Sequence, residues 1–286
     1  MTTGVIFFAY NNSAVDYIKQ AVYNAKLVKQ HLGLSVTIVT DSVNYLKTTY
    51  PFYNQYVDNI IYQAPDNVQF HQKSFHAGEH HNVMADWKNT NRGSAYDLSP
   101  YDTTIILDTD YLINNSNFLK VLDQPNDLYI YQHSADISHS RIIKGFDAVS
   151  DETIDFYWAT AVVFKKTDRI KKLFNLVNYI KEQYHYFRTL YRIPTKMFRN
   201  DYAFSIAIHM LNGHSKTEWP VALPGKMIYS SPEDDLLSIK DGTYKFVLGN
   251  KYRPDKVNAV TVTGTNIHIM NKLHLNDLID KEFENE

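Results

Sequence analysis

The sequence of 286 residues contains no cysteine, which excludes disulfide bonds, thiolate zinc sites and cysteine nucleophiles. No apolar run approaches the roughly 18 to 20 residues that a membrane-spanning helix needs. The first four residues carry no basic region and lead directly into a strand-like segment, which argues against a secretory signal. These absences predict a soluble, cytoplasmic protein without a transmembrane segment.

The composition of the chain is that of an ordinary globular protein. Apolar residues make up 44% and charged residues 21%, which excludes extensive disorder. The 29 Lys and Arg residues nearly match the 31 Asp and Glu residues, so the net charge is only −2. This length is typical of one large α/β domain, and no linker divides the sequence. We therefore predict a single domain over residues 1–286.

The hydrophobic pattern predicts alternating strands and helices. Apolar runs at residues 5–9, 36–39 and 104–107 are typical of buried parallel strands. Between the first two runs, apolar residues recur at helical spacing until Gly33 provides a stop signal. Two apolar strands joined by a helix form a βαβ unit, which favours a parallel sheet. Further strands are expected at residues 60–62, 128–132, 158–164, 244–248 and 266–270.

Two acidic residues, Asp108 and Asp110, follow directly on the apolar run at residues 104–107. In open α/β sheets, ligands bind beyond the carboxyl ends of the strands. Carboxylates at alternate positions of a turn can aim at one hard divalent cation, which in turn can hold a diphosphate. A solvated turn after a strand is the alternative interpretation of this pair.

The segment 105–113, Ile-Ile-Leu-Asp-Thr-Asp-Tyr-Leu-Ile, resembles the DxD segment of GT-A-fold glycosyltransferases. The resemblance is greatest to the retaining, glycogenin-like group and continues as ordered landmarks through most of the chain. It implies an α/β, Rossmann-like fold with a mostly parallel central sheet flanked by helices, and a UDP-sugar donor bound through Mn²⁺ or Mg²⁺. Residues 1–110 would form the nucleotide-sugar-binding half, and residues 111–286 the acceptor half with a C-terminal metal-binding segment.

The resemblance also implies roles for individual residues. Three would bind the metal: Asp108, Asp110 and His268. Seven would contact the nucleotide-sugar: Ala9, Tyr10, Asn11, Asp41, Arg92, Thr109 and Lys272. Asp201 would be the catalytic acidic residue on the sugar and acceptor side. Two carboxylates and one imidazole suit Mn²⁺ or Mg²⁺, and the neighbouring cations would offset charge on the departing diphosphate.

Some of these residues also have structural interpretations. His268 is alternatively a hydrogen-bonded strand histidine, Arg92 a surface ion-pair partner, and Asp201 an acid favoured by a helix N-terminus. Asp201 is the best candidate for a general base, with Asp136 and His133 as other choices. A retaining mechanism removes the need for a strong base, because the leaving phosphate can take the acceptor proton.

Four histidines, His71, His76, His80 and His81, form a separate cluster in the sequence. Their spacing permits a zinc site, although no carboxylate partner stands at a recognised spacing. We favour a loop over the donor site that becomes ordered when the nucleotide-sugar binds.

Positive charge is concentrated in residues 165–199. This segment contains ten basic and two acidic residues, a balance of +8, with aromatic residues interleaved. Such cations and rings suit the phosphates and an exposed base of a nucleic acid. The alternative is a solvated helix face whose tyrosines pack on the core.

Together these features predict a metal-dependent, retaining glycosyltransferase that moves a hexose or pentose in a bacterial or phage-infected cell. The acceptor that suits the basic segment is a hydroxymethylated base in DNA, as in the DNA-modifying transferases of bacteriophages. A cell-surface or lipopolysaccharide glycan is the alternative acceptor. A non-catalytic nucleotide-sugar-binding module and a nucleotidyltransferase are the alternative functions, the latter disfavoured because no Gly-rich phosphate loop lies near the amino terminus.

Overall fold

The computed structural model describes residues 2–65, 71–76, 81–139, 141, 148–150, 154–249 and 258–284. Its strands within these ranges are β1 (Thr3–Phe8), β2 (Ser35–Thr40), β3 (Asn59–Tyr62), β4 (His71–His76), β5 (Asn82–Trp87), β6 (Thr103–Leu107), β7 (Tyr111–Leu112), β8 (Leu128–Tyr131), β9 (Ser134–Asp136), β10 (Trp158–Lys165), β11 (Val221–Ala222), β12 (Met227–Ser230), β13 (Asp235–Lys240), β14 (Thr243–Leu248), β15 (Asn258–Thr263) and β16 (Ile267–Ile269).

The helices of the described ranges are α1 (Tyr17–Leu32), α2 (Val43–Thr49), α3 (Ala95–Leu98), α4 (Leu119–Leu122), α5 (Asp168–Glu182), α6 (Tyr184–Leu190), α7 (Asn200–Leu211) and α8 (Lys272–Glu284). Two 3₁₀ turns, Tyr53–Gln55 and Asn91–Ser94, precede β3 and α3. In the part of the chain that the structure describes, no helix combines the length and the apolar character needed to cross a bilayer.

The central sheet has seven strands in the order β11-β8-β10-β6-β1-β2-β3. β1 is parallel to β2 and β6, β2 is parallel to β3, and β8 is parallel to β11. β10 is antiparallel to both of its neighbours, β6 and β8. Helices α1, α2 and α7 pack against strands of this sheet. The predicted α/β class, with a mostly parallel central sheet flanked by helices, is confirmed.

The apolar runs of the sequence explain the middle of this sheet. In β1, β2 and β6 every residue from the second position onward is buried, as expected for parallel strands that are covered on both faces. The connecting helix α1 begins after Asp16, whose side chain accepts a hydrogen bond from the backbone N–H of Lys19 at 3.0 Å. It ends at Gly33, which has a left-handed backbone with φ of 64°.

The strand directions define two edges of the sheet. β1, β2 and β6 end together at Phe8, Thr40 and Leu107, and we call this the carboxyl edge. Because β10 runs in the opposite direction, it begins at the carboxyl edge and ends at the amino edge, where Lys165 lies opposite Thr103. Ligands of open α/β sheets bind at the carboxyl edge, so the residues there are the candidates for a site.

Two smaller sheets and a hairpin accompany the central sheet. Four strands pair in the order β7-β16-β12-β9, and β13, β14 and β15 form an antiparallel sheet. β4 and β5 form the hairpin. The strands predicted at residues 244–248 and 266–270 correspond to β14 and β16, so they lie in the smaller sheets.

The β4–β5 hairpin differs from what the sequence predicted for this region. We expected a loop around the histidine cluster, whereas the structure has two paired antiparallel strands, which end at Trp87 in β5. The side chains follow a period of two: Phe75 and Ala85 on one face are buried, while Gln72 and Met84 on the other face are exposed. Cross-strand pairing of one apolar face therefore outweighs the polar composition of the segment.

Gly4 in β1 has the ring of Tyr101 directly over it, with no room for a Cβ atom between them. The Tyr101 hydroxyl shares a hydrogen bond of 2.8 Å with Thr37 Oγ1, which fixes the ring in this position. Gly4→Ala is therefore expected to lower the free energy of unfolding by about 1–3 kcal/mol, the usual cost of overpacking. Urea unfolding followed by circular dichroism measures this change.

The control for this prediction is the same substitution in a Tyr101→Ala background. Removal of the ring removes the clash, so the additional cost of Gly4→Ala should become much smaller than in the wild type. Equal costs in the two backgrounds would contradict the close approach of the ring to Gly4.

Candidate functional site

A cavity of about 240 Å³ opens at the carboxyl edge of the central sheet. Residues from both halves of the chain line it, and among the described residues its charged lining consists of Asp108, Asp110, Asp201, Lys73, Arg92, Arg199 and Lys272. His268 and Thr109 also line it. The structure thus brings together seven of the eleven site residues that the sequence predicted, together with two cations that it did not, Lys73 and Arg199.

Asp108 and Asp110 lie in the turn that follows β6. The backbone N–H of Asp108 donates to the carbonyl of Thr160 in β10 at 2.8 Å, which holds the turn against the neighbouring strand. β16 runs beside the same turn, because its residue His268 pairs with Tyr111 of β7. One ligand atom from each of Asp108, Asp110 and His268 lies within 4.8 Å of the other two. Backbone pairing therefore assembles two carboxylates and an imidazole at one point.

His268 is buried at the floor of this group. Its Nε2 lies 3.2 Å from Asp110 Oδ2, and its Nδ1 is buried without a hydrogen-bond partner among the described residues. Burial lowers the pKa of His268 to about 3; Lys73, Arg92 and Arg199 act in the same direction, whereas Asp201 opposes them. The imidazole is therefore neutral near pH 7, which is the form that binds metals. This donor set of two carboxylates and one neutral imidazole fits Mn²⁺ or Mg²⁺.

Two cations neutralise the carboxylates of the group. The guanidinium of Arg92 forms an ion pair with Asp108 and donates a hydrogen bond to the carbonyl of Ala159. The ammonium of Lys272, at the first position of α8, pairs with Asp110. Burial lowers the pKa of Arg92 to about 10 and that of Lys272 well below its ordinary value. Each of these ion pairs engages one oxygen of its carboxylate, so a divalent ion held here would compete with the two cations for Asp108 and Asp110.

Asp201 lies on the other side of the cavity, in the first turn of α7. One carboxylate oxygen accepts a hydrogen bond from the backbone N–H of Ala159 at 2.9 Å. The other oxygen accepts two bonds from the guanidinium of Arg199, at 2.7 and 3.1 Å. The carboxylate is therefore held in one orientation. Of the other base candidates, neither His133 nor Asp136 lines the cavity, as far as the described residues show.

Asp136 is instead part of a separate buried ion-pair cluster. Its carboxylate accepts bonds of 3.0 and 2.6 Å from Arg141, and the same guanidinium bonds to Asp234 at 2.7 and 2.6 Å. The Ser138 backbone N–H donates to Asp136 as well, at 2.9 Å. A carboxylate engaged in this way is a structural link between β9 and the start of β13.

The sequence predicts four residues for the nucleoside: Ala9, Tyr10, Asn11 and Asp41. They follow β1 and β2 at the carboxyl edge, but none of these four described residues lines the cavity. Ala9 and Tyr10 are fully buried, and the Tyr10 hydroxyl donates to Gln63 at 2.9 Å. The Asn11 side chain donates to Asp16 at 2.8 Å, and the Asp41 carboxylate accepts a bond of 2.7 Å from Ser42. Their contact with a nucleoside stays a prediction.

Gln20 supports the site from α1, and the sequence carries a signal for it. Gln20 is a polar residue on the buried face of α1, and it is completely buried. Its amide oxygen accepts a bond of 3.1 Å from the hydroxyl of Thr109, and its amide nitrogen donates to Asn276 of α8 at 2.8 Å. Gln20 thereby links the turn that carries the two aspartates to the helix that carries Lys272. A polar side chain among apolar positions of a helix is the pattern that predicts such a link.

The basic segment 165–199 is divided between the two edges of the sheet. Lys165 ends β10 at the amino edge, and α5 begins there. The fifteen residues of α5 span about 22 Å. They lead back to the carboxyl edge, where Asn178 donates to the carbonyl of Gly93, the neighbour of Arg92, at 3.1 Å. The cations of residues 165–172 therefore lie at or near the amino edge, whereas Arg199, at the end of the segment, lines the cavity.

The histidine cluster does not form one site within the described ranges. His76 of β4 lines the cavity, and His81 is exposed. His80 and the side chain of His71 lie outside the described residues, so the zinc alternative is not tested. In the described parts of the chain, Asp108, Asp110 and His268 form the group of metal-type ligands that lie close enough to share one ion.

Comparisons with known proteins give distant similarities. No protein-family model and no curated protein matches the sequence. An active-site mutant of LgtC shares 15% identity at a TM-score of 0.46, over 71% of this chain and 69% of that one. The galactosyltransferase LgtC in complex with donor and acceptor sugar analogues shares 13% identity, with a TM-score of 0.45 over 71% and 70% of the two chains. The glycosyltransferase GlyE of Streptococcus pneumoniae TIGR4 shares 13% identity, with a TM-score of 0.42 over 74% and 43%.

We rest no argument on similarities of this size. The structure by itself defines the class: an α/β protein whose mostly parallel sheet carries, at its carboxyl edge, a charged cavity with a candidate site for a divalent ion.

We expect Mn²⁺ to raise the melting temperature of the wild-type protein but not that of Asp108→Asn or Asp110→Asn. A ligand that binds only the folded state stabilises it by about 2.7 kcal/mol when its concentration is a hundred times Kd. Differential scanning fluorimetry with and without MnCl₂ measures the shift.

The matched control is Asp97→Asn, which changes an exposed acid in α3 and should keep the wild-type response. Each variant is compared with itself in the absence of Mn²⁺, because loss of either site carboxylate also leaves Arg92 or Lys272 without its partner. A wild-type shift in both site variants would show that Mn²⁺ binds elsewhere.

Proposed function

We propose that this protein is a metal-dependent glycosyltransferase that moves a sugar from a nucleoside diphosphate, UDP, to an acceptor hydroxyl. The observation that carries the proposal is the convergence of Asp108, Asp110 and His268 in a charged cavity at the carboxyl edge of the sheet. The resemblance of residues 105–113 to the DxD segment of GT-A glycosyltransferases supports the same reaction, and favours retention of configuration.

In this proposal the three converging residues hold Mn²⁺ or Mg²⁺, and the ion supplies positive charge to the diphosphate of the donor. Arg92 and Lys272 then exchange their carboxylate partners for phosphate oxygens. Their burial strengthens this interaction, because charges attract more strongly where water is excluded. The two cations thus keep the carboxylates neutralised before the donor binds and the diphosphate neutralised afterwards.

For the donor sugar we propose the opposite side of the cavity, near Trp158 and Asp201. The Asp201 carboxylate is oriented by Arg199 and by the N–H of Ala159, which suits a fixed hydrogen bond to a sugar hydroxyl. Both oxygens of this carboxylate are engaged by protein donors, so we assign Asp201 to positioning of the sugar. The acceptor proton then passes to the departing phosphate oxygen, as a retaining mechanism allows.

One enzyme assay separates this function from its alternatives. With Mn²⁺ and a set of UDP-sugars, the wild type and Asp97→Ala should release UDP from one donor, while Asp108→Ala and Asp110→Ala should be slower by about 100-fold or more. A thermal-shift screen of the same donors identifies the one that binds. Binding without turnover would favour a non-catalytic module, and pyrophosphate release from a nucleoside triphosphate would favour a nucleotidyltransferase.

For the acceptor we propose a hydroxymethylated base in DNA, contacted by residues 181–199 of the basic segment. These residues include Arg192 and Lys196, both exposed, and Tyr186, whose side chain is 60% exposed. Cations for phosphates and a ring for an unstacked base are what such an acceptor requires. The cations at the amino edge lie too far from the cavity to contribute to the same contact.

We expect salt-dependent binding of the wild type to double-stranded DNA, with a slope of log K against log salt near about −3 if roughly three phosphates are contacted. Arg192→Ala with Lys196→Ala should weaken binding and reduce the slope. Lys171→Ala with Lys172→Ala, a matched pair of exposed cations at the amino edge, should leave both unchanged. Fluorescence anisotropy at several salt concentrations measures the affinity for DNA and its dependence on salt. Salt-independent or undetectable binding would favour a glycan acceptor.

A further inference from the structure

Lys73 is a cavity residue to which neither the sequence pattern nor the resemblance gives a role. It lies in β4, and the period of two along the hairpin puts it on the same face as Phe75, with Ala85 and Trp87 on that face of β5. Phe75 and Ala85 are buried, and all of these except Ala85 line the cavity. A lysine therefore occupies an inward position beside Phe75, Ala85 and Trp87.

The ammonium of Lys73 has no ion-pair or hydrogen-bond partner among the residues that the structure describes. Its Nζ lies 5.7 Å from the ring centroid of Phe75 and 5.9 Å from that of Trp87, so two aromatic rings provide its nearest favourable contacts. The other three cations of the cavity each have a carboxylate partner: Arg92 with Asp108, Arg199 with Asp201, and Lys272 with Asp110. Lys73 is the cation in excess.

An ammonium without a counter-charge in this cavity destabilises the fold unless a bound ligand supplies the negative charge. Burial lowers the pKa of Lys73 to about 8, with Arg199 and Arg92 acting in the same direction and Asp201 in the other. Removing an ammonium from water without a counter-charge is costly. Replacement of Lys73 by an apolar residue of similar length would remove this cost, so stability alone does not account for a lysine at this position.

The charges of the cavity indicate which ligand would pair with Lys73. Four cations and three carboxylates leave one positive charge in excess, and a divalent ion adds two more. A nucleotide-sugar brings two negative charges on its diphosphate. These offset the divalent ion, so the one excess positive charge, that of Lys73, remains. The diphosphate gains a further negative charge as its bond to the sugar breaks. Lys73 therefore balances the charge of the departing diphosphate more closely than that of the intact donor.

We propose that Lys73 is a catalytic residue whose ammonium contacts the diphosphate and stabilises the charge that develops when the glycosidic bond breaks. This inference rests on the proposed function. In that step the bond between the anomeric carbon and the phosphate oxygen breaks, and its electron pair stays on the phosphate. The acceptor oxygen forms the new bond to the anomeric carbon, and its proton passes to the phosphate oxygen.

The test compares Lys73→Met with Lys73→Arg, and uses Lys245→Met as a matched control on the exposed side of β14. Isothermal titration of Mn²⁺-saturated protein with pyrophosphate is the first measurement. Loss of a charge-assisted contact should weaken pyrophosphate binding by about 10- to 100-fold in Lys73→Met. Lys73→Arg should retain most of the affinity, Lys245→Met should equal the wild type, and Mn²⁺ should bind all four proteins alike.

Two further readouts distinguish a contact with the diphosphate from a structural role. Lys73→Met should melt at the wild-type temperature or above, because a partly buried, unpaired charge is removed. With the UDP-sugar that the wild type turns over, its kcat should fall by a larger factor than its KM rises, because the interaction strengthens in the transition state. A rise in KM at unchanged kcat, or a marked loss of stability, would overturn the assignment.

The proposed function and the role of Lys73 can fail separately. Equal pyrophosphate affinity of the wild type and Lys73→Met would overturn the inference while leaving glycosyl transfer intact. Conversely, if the wild type turns over no donor and Lys73→Met still loses pyrophosphate affinity, the glycosyltransferase proposal fails and the contact of Lys73 with a diphosphate stands.

Discussion

Charge compensation in a buried cavity is the constraint on which the rest of this structure depends. Charged groups removed from water destabilise a fold unless opposite charges meet them. Asp108 and Asp110 are met by Arg92 and Lys272, which come from the 3₁₀ turn Asn91–Ser94 and from the start of α8. These pairs therefore tie distant segments to the turn after β6. In the proposed function, a divalent ion that takes up the carboxylates would make both cations available to an anionic ligand.

The antiparallel strand β10 is the feature of the sheet that makes this arrangement possible. A parallel strand would have contributed its last residues to the carboxyl edge, whereas β10 contributes its first ones. The backbone of Ala159, its second residue, accepts a hydrogen bond from Arg92 and donates one to Asp201. The backbone of one residue thereby orients the guanidinium that pairs with Asp108 and the carboxylate of Asp201. The reversal of a single strand thus positions two side chains that belong to different elements.

The sequence anticipated the centre of the site better than its surroundings. Asp108 and Asp110 could be found because an acidic pair after a buried strand marks the ligand-binding edge of an open sheet. His268 followed from a resemblance, and pairing of β16 with β7 accounts for its position. Lys73 could not be found in the same way. Its side chain faces the cavity because it lies in the β4–β5 hairpin, and the polar composition of this segment predicted a loop instead. The basic segment misled for a related reason: its cations are close in sequence, but α5 separates its beginning at the amino edge from Arg199 at the cavity.

By itself, the sequence determined the α/β class and the location of the two aspartates, because continuous apolar runs and the residues that end them are local properties of the chain. Only the tertiary structure decided which cations face those aspartates, since Lys272 is 162 residues from Asp110 and meets it through the packing of α8 on α1. It also decided that Lys73 alone among the cavity cations, within the described residues, has no carboxylate partner. The physical reason is that the charge balance of a cavity depends on which side chains the fold brings together. The side chains that line this cavity come from distant parts of the sequence.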